Sequence, residues 1–208
     1  MKPEIIRQDG MIHGGIKQRR IEQKLILASA LETANILRQG GVVAYPTESC
    51  YGLGCDPENH SALRRILQIK RRSKHKGLIL IADHLCRLRR FLQPLPQEFT
   101  DEFLAGWPGP YTWVLPARQS VSRWLRGNHP TIAVRVSRHP PVKALCRAAG
   151  MAVVSTSANR SRRSILRSAT AVDQQFGDEI DCIMEGSIGC ASSPTVIRDG
   201  ITGEYLRN

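Results

Sequence analysis

The chain has 208 residues, 41% of them hydrophobic and 5% aromatic, a composition typical of a globular protein that buries a core of its own. Lys and Arg outnumber Asp and Glu by 30 to 18, and the net charge of +12 favours a polyanionic partner: nucleic acid, a phosphorylated metabolite or a membrane surface. With no run of 18 apolar residues, no secretory signal and no CxxC pair among six cysteines, we expect a cytoplasmic protein without a membrane-spanning helix, disulfide framework or zinc site.

The N-terminal part of the chain divides into an arm and a first helix. Residues 1–20 are polar, basic and aperiodic, and we expect a flexible arm there, followed by a single domain over residues 21–208. An apolar stripe of helical period, ended by the Gly40–Gly41 pair, predicts the first helix. The members of the stripe are Leu27, Ala30, Leu31, Ala34 and Leu37.

Beyond that helix, short apolar runs of strand length alternate with amphipathic segments. Strands are predicted at residues 42–45, 78–82, 112–115, 132–136, 151–154, 183–184 and 195–198. Helices are predicted at residues 61–70, 84–92, 141–149 and 171–176, with Asp83 as the N-cap of the second. Residues 106–110 contain two prolines and two glycines and are predicted to form a loop. The alternation predicts an α/β fold in which helices flank a twisted mixed sheet.

A cationic stretch, residues 70–76, contains five Lys or Arg residues and a histidine but no acid. Because a strand is predicted to begin at Leu78, we expect an extended backbone that places alternate side chains on one face. The side chains sharing that face would be Lys70, Arg72, Lys74 and Lys76. Four cations on one face repel one another unless water or an anion lies against them. The stretch is therefore a solvated surface, a nucleic-acid patch or the wall of an anion site, and the residues alone leave these alternatives open.

Polar residues follow two other predicted strands. The segment "MAVVSTSAN" ends in hydroxyl and amide side chains, and Ser157 and Asn159 have the spacing that lets both face one cavity. In "YPTESCYGLGCDP", residues 47–49 follow a strand, and two glycines allow either close approach to a ligand or a tight turn. Each segment can also be an ordinary turn. Because ligands of α/β sheets bind at strand ends, the three stretches together predict a shared cleft.

Six motifs of this chain resemble, in the same order, those of the YrdC-like domain of threonylcarbamoyl-AMP synthases. They are "YPTESCYGLGCDP", "IKRRSKHKGLILIA", "WPGPYTWVLPA", "IAVRVSRHP", "VVSTSAN" and "PTVIRDGITGEYLR". The resemblance extends from Leu27 to Arg207, and it is greatest to the short, single-domain bacterial form. It implies a twisted α/β sheet with a concave, positively charged cavity.

The resemblance also implies a reaction. Family members are nucleotidyltransferases that combine L-threonine, bicarbonate and ATP, with Mg2+, into threonylcarbamoyl-AMP and pyrophosphate. Partner proteins then transfer the threonylcarbamoyl group to the adenosine at position 37 of tRNAs that read ANN codons. By motif, the catalytic quartet of the family corresponds to Lys70, Arg72, Ser157 and Asn159. The threonine and bicarbonate contacts correspond to Ser49, Arg135, Ser157 and Thr195, and the nucleotide contacts to Lys70, Arg72, Lys76, Thr131, Asn159 and Arg207.

The chain departs from the family pattern at three positions, two of which follow the SAN motif. Arg162 stands where the family has glycine, Arg167 where it often has a hydroxyl contact to the nucleotide, and Ser73 where it has proline. These differences concern the loop over the ATP and not the quartet.

Two alternative functions use the same features. A tRNA-binding or double-stranded-RNA-binding module is favoured by the net charge, by Arg19 and Arg20 in the arm, and by the Arg-rich residues 160–167. A carbamoyl-transfer domain like that of hydrogenase maturation proteins is a third hypothesis, although the acylphosphatase and zinc-finger parts of such proteins have no counterpart in this sequence.

Overall fold

The computed structural model describes residues 27–95, 105–161, 163–193 and 195–207, so the predicted arm lies outside the described residues. Within these ranges, ten strands form one sheet of mixed direction. In chain order they are β1 (Leu27–Ala28), β2 (Val43–Pro46), β3 (Tyr51–Gly54), β4 (Ile79–Ala82), β5 (Tyr111–Pro116), β6 (Thr131–Val136), β7 (Val153–Ser157), β8 (Cys182–Met184), β9 (Val196–Asp199) and β10 (Tyr205–Arg207). Their order across the sheet is β1-β8-β2-β3-β7-β4-β6-β5-β9-β10.

Five α-helices connect these strands within the described part of the chain. They are α1 (Ala30–Arg38), α2 (His60–Ile69), α3 (Arg123–Arg126), α4 (Pro140–Ala149) and α5 (Ala169–Phe176). The N-caps follow from local side chains: Ser29 and Glu32 form a capping box at α1, and Asn59 accepts from the N–H of Ala62 at α2. None of these helices is long and apolar enough to cross a membrane.

The two faces of the sheet are covered differently. One face packs against α2, α3 and α5, and Leu80, Val134 and Val154 are fully buried there. On the other face, Ile81 and Val153 pack against α1 and α4 in a second core. Ile79 lies two residues before Ile81, and Ser155 two residues after Val153, so both share that face. Both of them, however, line an open cavity. The helices therefore cover one half of this face and leave the other half for a ligand.

Most predicted elements are confirmed to within a few residues. The helices predicted at residues 61–70, 141–149 and 171–176 are α2, α4 and α5, and each predicted strand overlaps an observed one. The first helix begins later than predicted, since Leu27 lies in β1, and Leu31 is exposed rather than buried. The sequence patterns missed β1, β3, β10 and the short α3.

The prediction that residues 70–76 are extended is wrong. Lys70 caps α2 in a helical conformation, Arg71 adopts a positive φ of 50°, and residues Lys74–Lys76 form a 3-10 turn. Alternate side chains of this segment therefore do not share one face. The reversal at Arg71 occurs because its N–H and that of Arg72 satisfy the last carbonyls of α2, on Gln68 and Leu67.

The prediction of a helix at residues 84–92 is also wrong. Two 3-10 turns, Leu85–Arg87 and Arg89–Phe91, occupy this segment. His84 caps the first by accepting from the N–H of Cys86. The carboxylate of Asp83 instead pairs with Arg87 and Arg147 and so does not cap a helix.

The two glycines of β3 make a test of this packing. A methyl group added at Gly54 would lie 2.6 Å from the ring of Tyr45 and 2.7 Å from the carbonyl oxygen of Val154, whereas at Gly52 its nearest neighbour would be a methyl of Thr47 at 3.3 Å. We expect Gly54→Ala to lower the free energy of unfolding by about 2 kcal/mol or more, because overpacking displaces strands. Thermal unfolding monitored by circular dichroism measures this, with Gly52→Ala as the matched control. Equal midpoints for the two variants would contradict the packing described.

Candidate active site

A cavity of about 500 Å³ lies on the uncovered half of the sheet face, within the size range of small-molecule sites. Its floor is a row of residues that are register partners across five neighbouring strands. The row is Ser155, Ile79, Ala133, Val114 and Asp199. At about 4.8 Å per strand, it spans about 19 Å. A largely apolar floor of this length accommodates an extended ligand of nucleotide size.

The walls of the cavity are cationic. Five basic side chains line it: Arg72, Lys76, Arg126, Arg135 and Arg207. Among the described lining residues the one carboxylate belongs to Asp199, and its Oδ1 accepts from the backbone N–H groups of Ile201 and Thr202 at 2.8 and 3.0 Å. This distribution of charge favours an anionic ligand.

Neighbouring cations contribute to the lowered pKa values of two of these arginines. Burial, and then the charge of Arg207, lowers the pKa of Arg72. Although Arg207 is exposed as a whole residue, desolvation and then the charge of Arg135 lower the pKa of its guanidinium. The three arginines come from separate parts of the chain, so the repulsion is created by the fold and is relieved when an anion binds.

Lys70 does not line the cavity, so in this structure its side chain is not placed to contact a triphosphate bound there. Its side chain is buried, and its ammonium donates to the carbonyl oxygens of Ser157 and Asn159 and, at 3.1 Å, to Oδ1 of Asn159. Burial, and then the charge of Arg72, lowers the pKa of Lys70 to about 8. In this geometry Lys70 joins the end of α2 to the loop after β7 and supports the wall from behind.

Ser157 and Asn159 do not both face the cavity. Ser157 lines it, and its hydroxyl donates to Oδ1 of Asn159 at 2.7 Å. The amide of Asn159 donates to the carbonyl oxygen of Arg163 and therefore closes the loop that follows β7. The spacing predicted that both side chains face one cavity; in this structure Ser157 lines the cavity, and the Asn159 side chain bonds to Ser157 and Arg163 instead.

Arg135 is a buried arginine in the wall of the cavity. The residue is only 6% exposed, and its Nε has no hydrogen-bond partner within the described residues. Its Nη2 lies 3.2 Å from Oε2 of Glu48, and Oε1 of Glu48 accepts from the hydroxyl of Ser137 at 2.5 Å. Glu48 thus orients the guanidinium. A guanidinium fixed in this way at the cavity favours a carboxylate ligand.

The remaining predicted residues all line the cavity: Ser49, Lys76, Thr131, Thr195 and Arg207. Two of them are tied together, since Nη2 of Arg207 donates to the carbonyl oxygen of Thr195 at 2.8 Å. The hydroxyl of Thr195 lies 3.1 Å from that of Thr112. The residues assigned by resemblance therefore converge on one cavity, apart from Lys70 and Asn159, which support it.

Sequence reasoning missed several lining residues. Arg126 and His129 carry no motif signal, because they lie in and after a helix of four residues. Cys50 and Asp199 lie within quoted motifs, but nothing in their spacing assigned them a role. All six cysteines are free thiols, and Cys50 is one of four that are buried. In the described ranges, no cluster of three or more His, Cys, Asp or Glu residues could hold a metal ion.

The Arg-rich loop is engaged within the protein. Arg160 donates to the carbonyl oxygen of Ile69 and to Glu179, at 3.0 and 2.6 Å, and lies over the ring of Phe176. Arg167 donates to the carbonyl oxygen of Ser192 at 2.7 Å. These contacts weaken the argument that the loop is a free RNA-binding surface; Arg19, Arg20 and Arg162 lie outside the described residues.

Comparison with curated proteins gives close relatives of similar length. A protein named threonylcarbamoyl-AMP synthase from Halorhodospira halophila is 53% identical over 171 residues, which cover 82% of this chain and 90% of the relative. A protein of the same name from Pseudomonas aeruginosa is 43% identical over 174 residues, 84% of this chain and 94% of the relative.

Solved structures give the same fold. P. abyssi Sua5 complexed with L-threonine superposes with a TM-score of 0.76 at 32% identity, covering 82% of this chain and 50% of that one. E. coli YciO superposes with a TM-score of 0.73 at 26% identity, covering 86% and 90%. The Sua5_yciO_yrdC family model, described as "Telomere recombination", matches residues 35–208. As its motifs predicted, the chain belongs to the Sua5/YciO/YrdC family.

Proposed function

We propose that this protein is a threonylcarbamoyl-AMP synthase, which converts L-threonine, bicarbonate and ATP into threonylcarbamoyl-AMP and pyrophosphate. The observation that carries the proposal is one cationic cavity lined by Ser49, Arg72, Arg135, Ser157 and Thr195, which come from five separate segments. Relatives 43–53% identical bear the name of this enzyme, and a structure of P. abyssi Sua5 contains L-threonine. The enzyme would act as a nucleotidyltransferase.

The chemistry explains why the walls are cationic. N-carboxy-threonine forms from the threonine amine and bicarbonate with loss of water. An oxygen of its carbamate group then attacks the α-phosphorus of ATP; the new P–O bond forms as the bond from phosphorus to the oxygen shared with the β-phosphate breaks, and pyrophosphate leaves with that electron pair. Both reactants are anions, so their approach is opposed by repulsion. Fixed cations and N–H donors aimed at the phosphates lower this barrier. Such a reaction requires no acid–base pair among the side chains.

Arg135 and Arg72 take different parts in this scheme. The guanidinium of Arg135, oriented by Glu48, would bind a carboxylate of the N-carboxy-threonine. Arg72 uses Nε and Nη2 to hold the carbonyl oxygen of Gly77 at 3.3 and 3.0 Å and lines the cavity beside Lys76. Its guanidinium would face the phosphates, while its bonds to Gly77 fix residues 73–77, which we name the basic turn.

Lys70 acts as a positioning residue in this scheme. Its ammonium holds the carbonyl groups of Ser157 and Asn159, so that the Ser157 hydroxyl and the loop backbone stay at the wall of the cavity. Asn159 would contribute to nucleotide binding through the shape of the same loop.

Mg2+ would enter as part of the ATP substrate. Asp199 is the one carboxylate among the described lining residues, and a single carboxylate fits an ion that keeps phosphate and water ligands. In this proposal the product passes to the proteins that transfer threonylcarbamoyl groups to tRNA, and the reaction takes place in the cytoplasm.

The direct test is pyrophosphate release by the purified protein with each substrate omitted in turn. We expect release only when threonine, bicarbonate and Mg2+-ATP are all present, because the nucleophile forms from the first two. Release that is equal with serine, or with no amino acid, would contradict the proposal.

Arg72→Ala should reduce kcat/KM for ATP about 100-fold or more, because it removes a fixed positive charge from the wall of the cavity. Steady-state kinetics of pyrophosphate release measures this. Arg71→Ala is the matched control, since the neighbouring arginine is exposed and does not line the cavity. A similar loss in both variants would mean that net charge, and not placement, is responsible.

Activity should fall as the pH rises through about 8, since the lowered pKa of Lys70 makes it lose its proton there. A neutral amine holds the three acceptors on Ser157 and Asn159 less strongly. The pH profile of kcat/KM measures the free enzyme. Lys70→Arg keeps its charge and should show no such fall between about pH 7 and about pH 9.5.

The stability of the folded protein should increase, and not decrease, as the pH rises above about 8. An unfolded lysine keeps its proton to about pH 10.4, so between pH 8 and that value the unfolded state binds more protons than the folded one. In this window, the contribution of Lys70 to the free energy of unfolding therefore increases as the pH rises. A loss of activity accompanied by unfolding near pH 8 would contradict the assignment.

A further inference from the structure

Two turns that are distant in sequence are locked together at the rim of the cavity. The N–H of Leu78 donates to the carbonyl oxygen of Leu125 at 2.7 Å, and that of Asn128 to His75 at 3.4 Å. Gly127, with a φ of +68°, lies so close that an added methyl would be 2.3 Å from the carbonyl oxygen of His75. The turn formed by residues 125–129, which we name the rim turn, therefore has a fixed position relative to the basic turn at residues 73–77.

These contacts between the two turns place Arg126 and His129 at the cavity. Both line it together with Lys76 and Thr131. The guanidinium of Arg126 is held by two bonds, from Nε to the carbonyl oxygen of Val121 at 3.1 Å and from Nη1 to that of His129 at 2.6 Å. A side chain fixed by carbonyl groups keeps its full positive charge, because neither partner is anionic.

Among the described residues, no ion pair neutralises this end of the cavity. Residues 59–82 and 103–172 contain no Asp or Glu, although the second range alone carries eleven Lys and Arg residues. Among the described residues, Lys76, Arg126 and His129 form no ion pair; those present join other side chains. A rigid cationic rim without a carboxylate favours a strongly anionic ligand.

The cavity has two cationic ends. On β6, Thr131 and Arg135 both line it and lie four residues apart, which is about 13 Å in a strand. Arg135 and Thr195 mark one end, and the basic turn and the rim turn mark the other. In an in-line displacement, the attacking and leaving oxygens lie on opposite sides of the α-phosphorus. If the attacking carboxylate lies beside Arg135, the leaving pyrophosphate lies toward the rim turn.

We infer that the rim turn is a second half of the polyphosphate site: Arg126 and His129, with Lys76, bind the β- and γ-phosphates of the nucleotide and then the leaving pyrophosphate. The inference rests on the proposed function for the identity of the reaction. A binding site for pyrophosphate itself does not depend on turnover. The imidazole of His129 supplies an N–H donor, and Arg126 supplies a fixed charge that Nε and Nη1 hold in place.

The test is calorimetric titration with inorganic pyrophosphate, which needs no catalysis. We expect Arg126→Gln to raise the Kd for pyrophosphate about 10-fold or more and His129→Gln to raise it several-fold, because each removes a donor to the phosphates. Arg126→Lys, which restores the charge, should recover most of the binding. The matched control is Arg123→Gln, an exposed arginine of the same helix that does not line the cavity.

Steady-state kinetics provides the second readout. Arg126→Gln and His129→Gln should raise KM for ATP and weaken product inhibition by pyrophosphate, while KM for threonine stays unchanged. A purely structural role of Arg126 would raise both KM values and lower the melting temperature. His129→Gln separates the two cases, since the described hydrogen bonds of His129 involve its backbone carbonyl and not its imidazole.

The outcomes distinguish this inference from the proposed function. Unchanged pyrophosphate affinity in both variants, or an equal loss in Arg123→Gln, would overturn the inference even if the wild-type protein makes threonylcarbamoyl-AMP. Pyrophosphate binding that depends on Arg126 and His129 would support it even if the wild-type protein releases no pyrophosphate, in which case the proposed function alone fails.

Discussion

The buried ammonium of Lys70 is the interaction on which the candidate active site depends. A charge removed from water must be satisfied, and three oxygen atoms of Ser157 and Asn159 accept from it. The bond is reciprocated, because the N–H and the hydroxyl of Ser161 both donate to the carbonyl oxygen of Lys70 at 3.0 Å. These contacts join the end of α2 to a loop almost ninety positions later in the chain. Arg72, two residues after Lys70, reaches the cavity because this junction fixes where the basic turn begins.

The part of the sheet face that no helix covers forms the floor of the cavity beside this junction. Helices α1 and α4 bury Ile81 and Val153, whereas Ile79 and Ser155 on the same strands remain open. The cavity floor is thus a continuation of the hydrophobic core, and it inherits the rigidity of a sheet packed on its opposite face. Cations placed at the rim by loops are held over an apolar surface from which water is partly excluded, where each phosphate contact is stronger than in bulk solvent.

Local patterns predicted much of this fold and part of its site. Helices α2 and α4 followed from apolar periodicity, and the resemblance placed Ser49, Arg135 and Thr195 on one cavity, as the structure does. Strand β3 was missed because Gly52 and Gly54 indicate a turn; glycine is required at Gly54 by the ring of Tyr45 on the neighbouring strand, a contact that no local pattern encodes. The course of residues 70–76 was wrong because a positive φ at Arg71 has no sequence signal. Arg126 and His129 reach the cavity through tertiary contacts alone.

The crowding of cations links stability to ligand binding. Beyond the effect of burial, the charge of Arg207 lowers the pKa of Arg72 and the charge of Arg135 lowers the pKa of Arg207, so the folded protein without a ligand carries an electrostatic cost. An anion that lies among them removes this repulsion, and it binds the unfolded chain far less well because the arginines are then apart. Part of the binding energy of a polyanion therefore offsets a cost already present in the fold. The arginines whose repulsion destabilises the empty cavity also make it selective for anions. A neutral or cationic ligand of equal size would not reduce that repulsion.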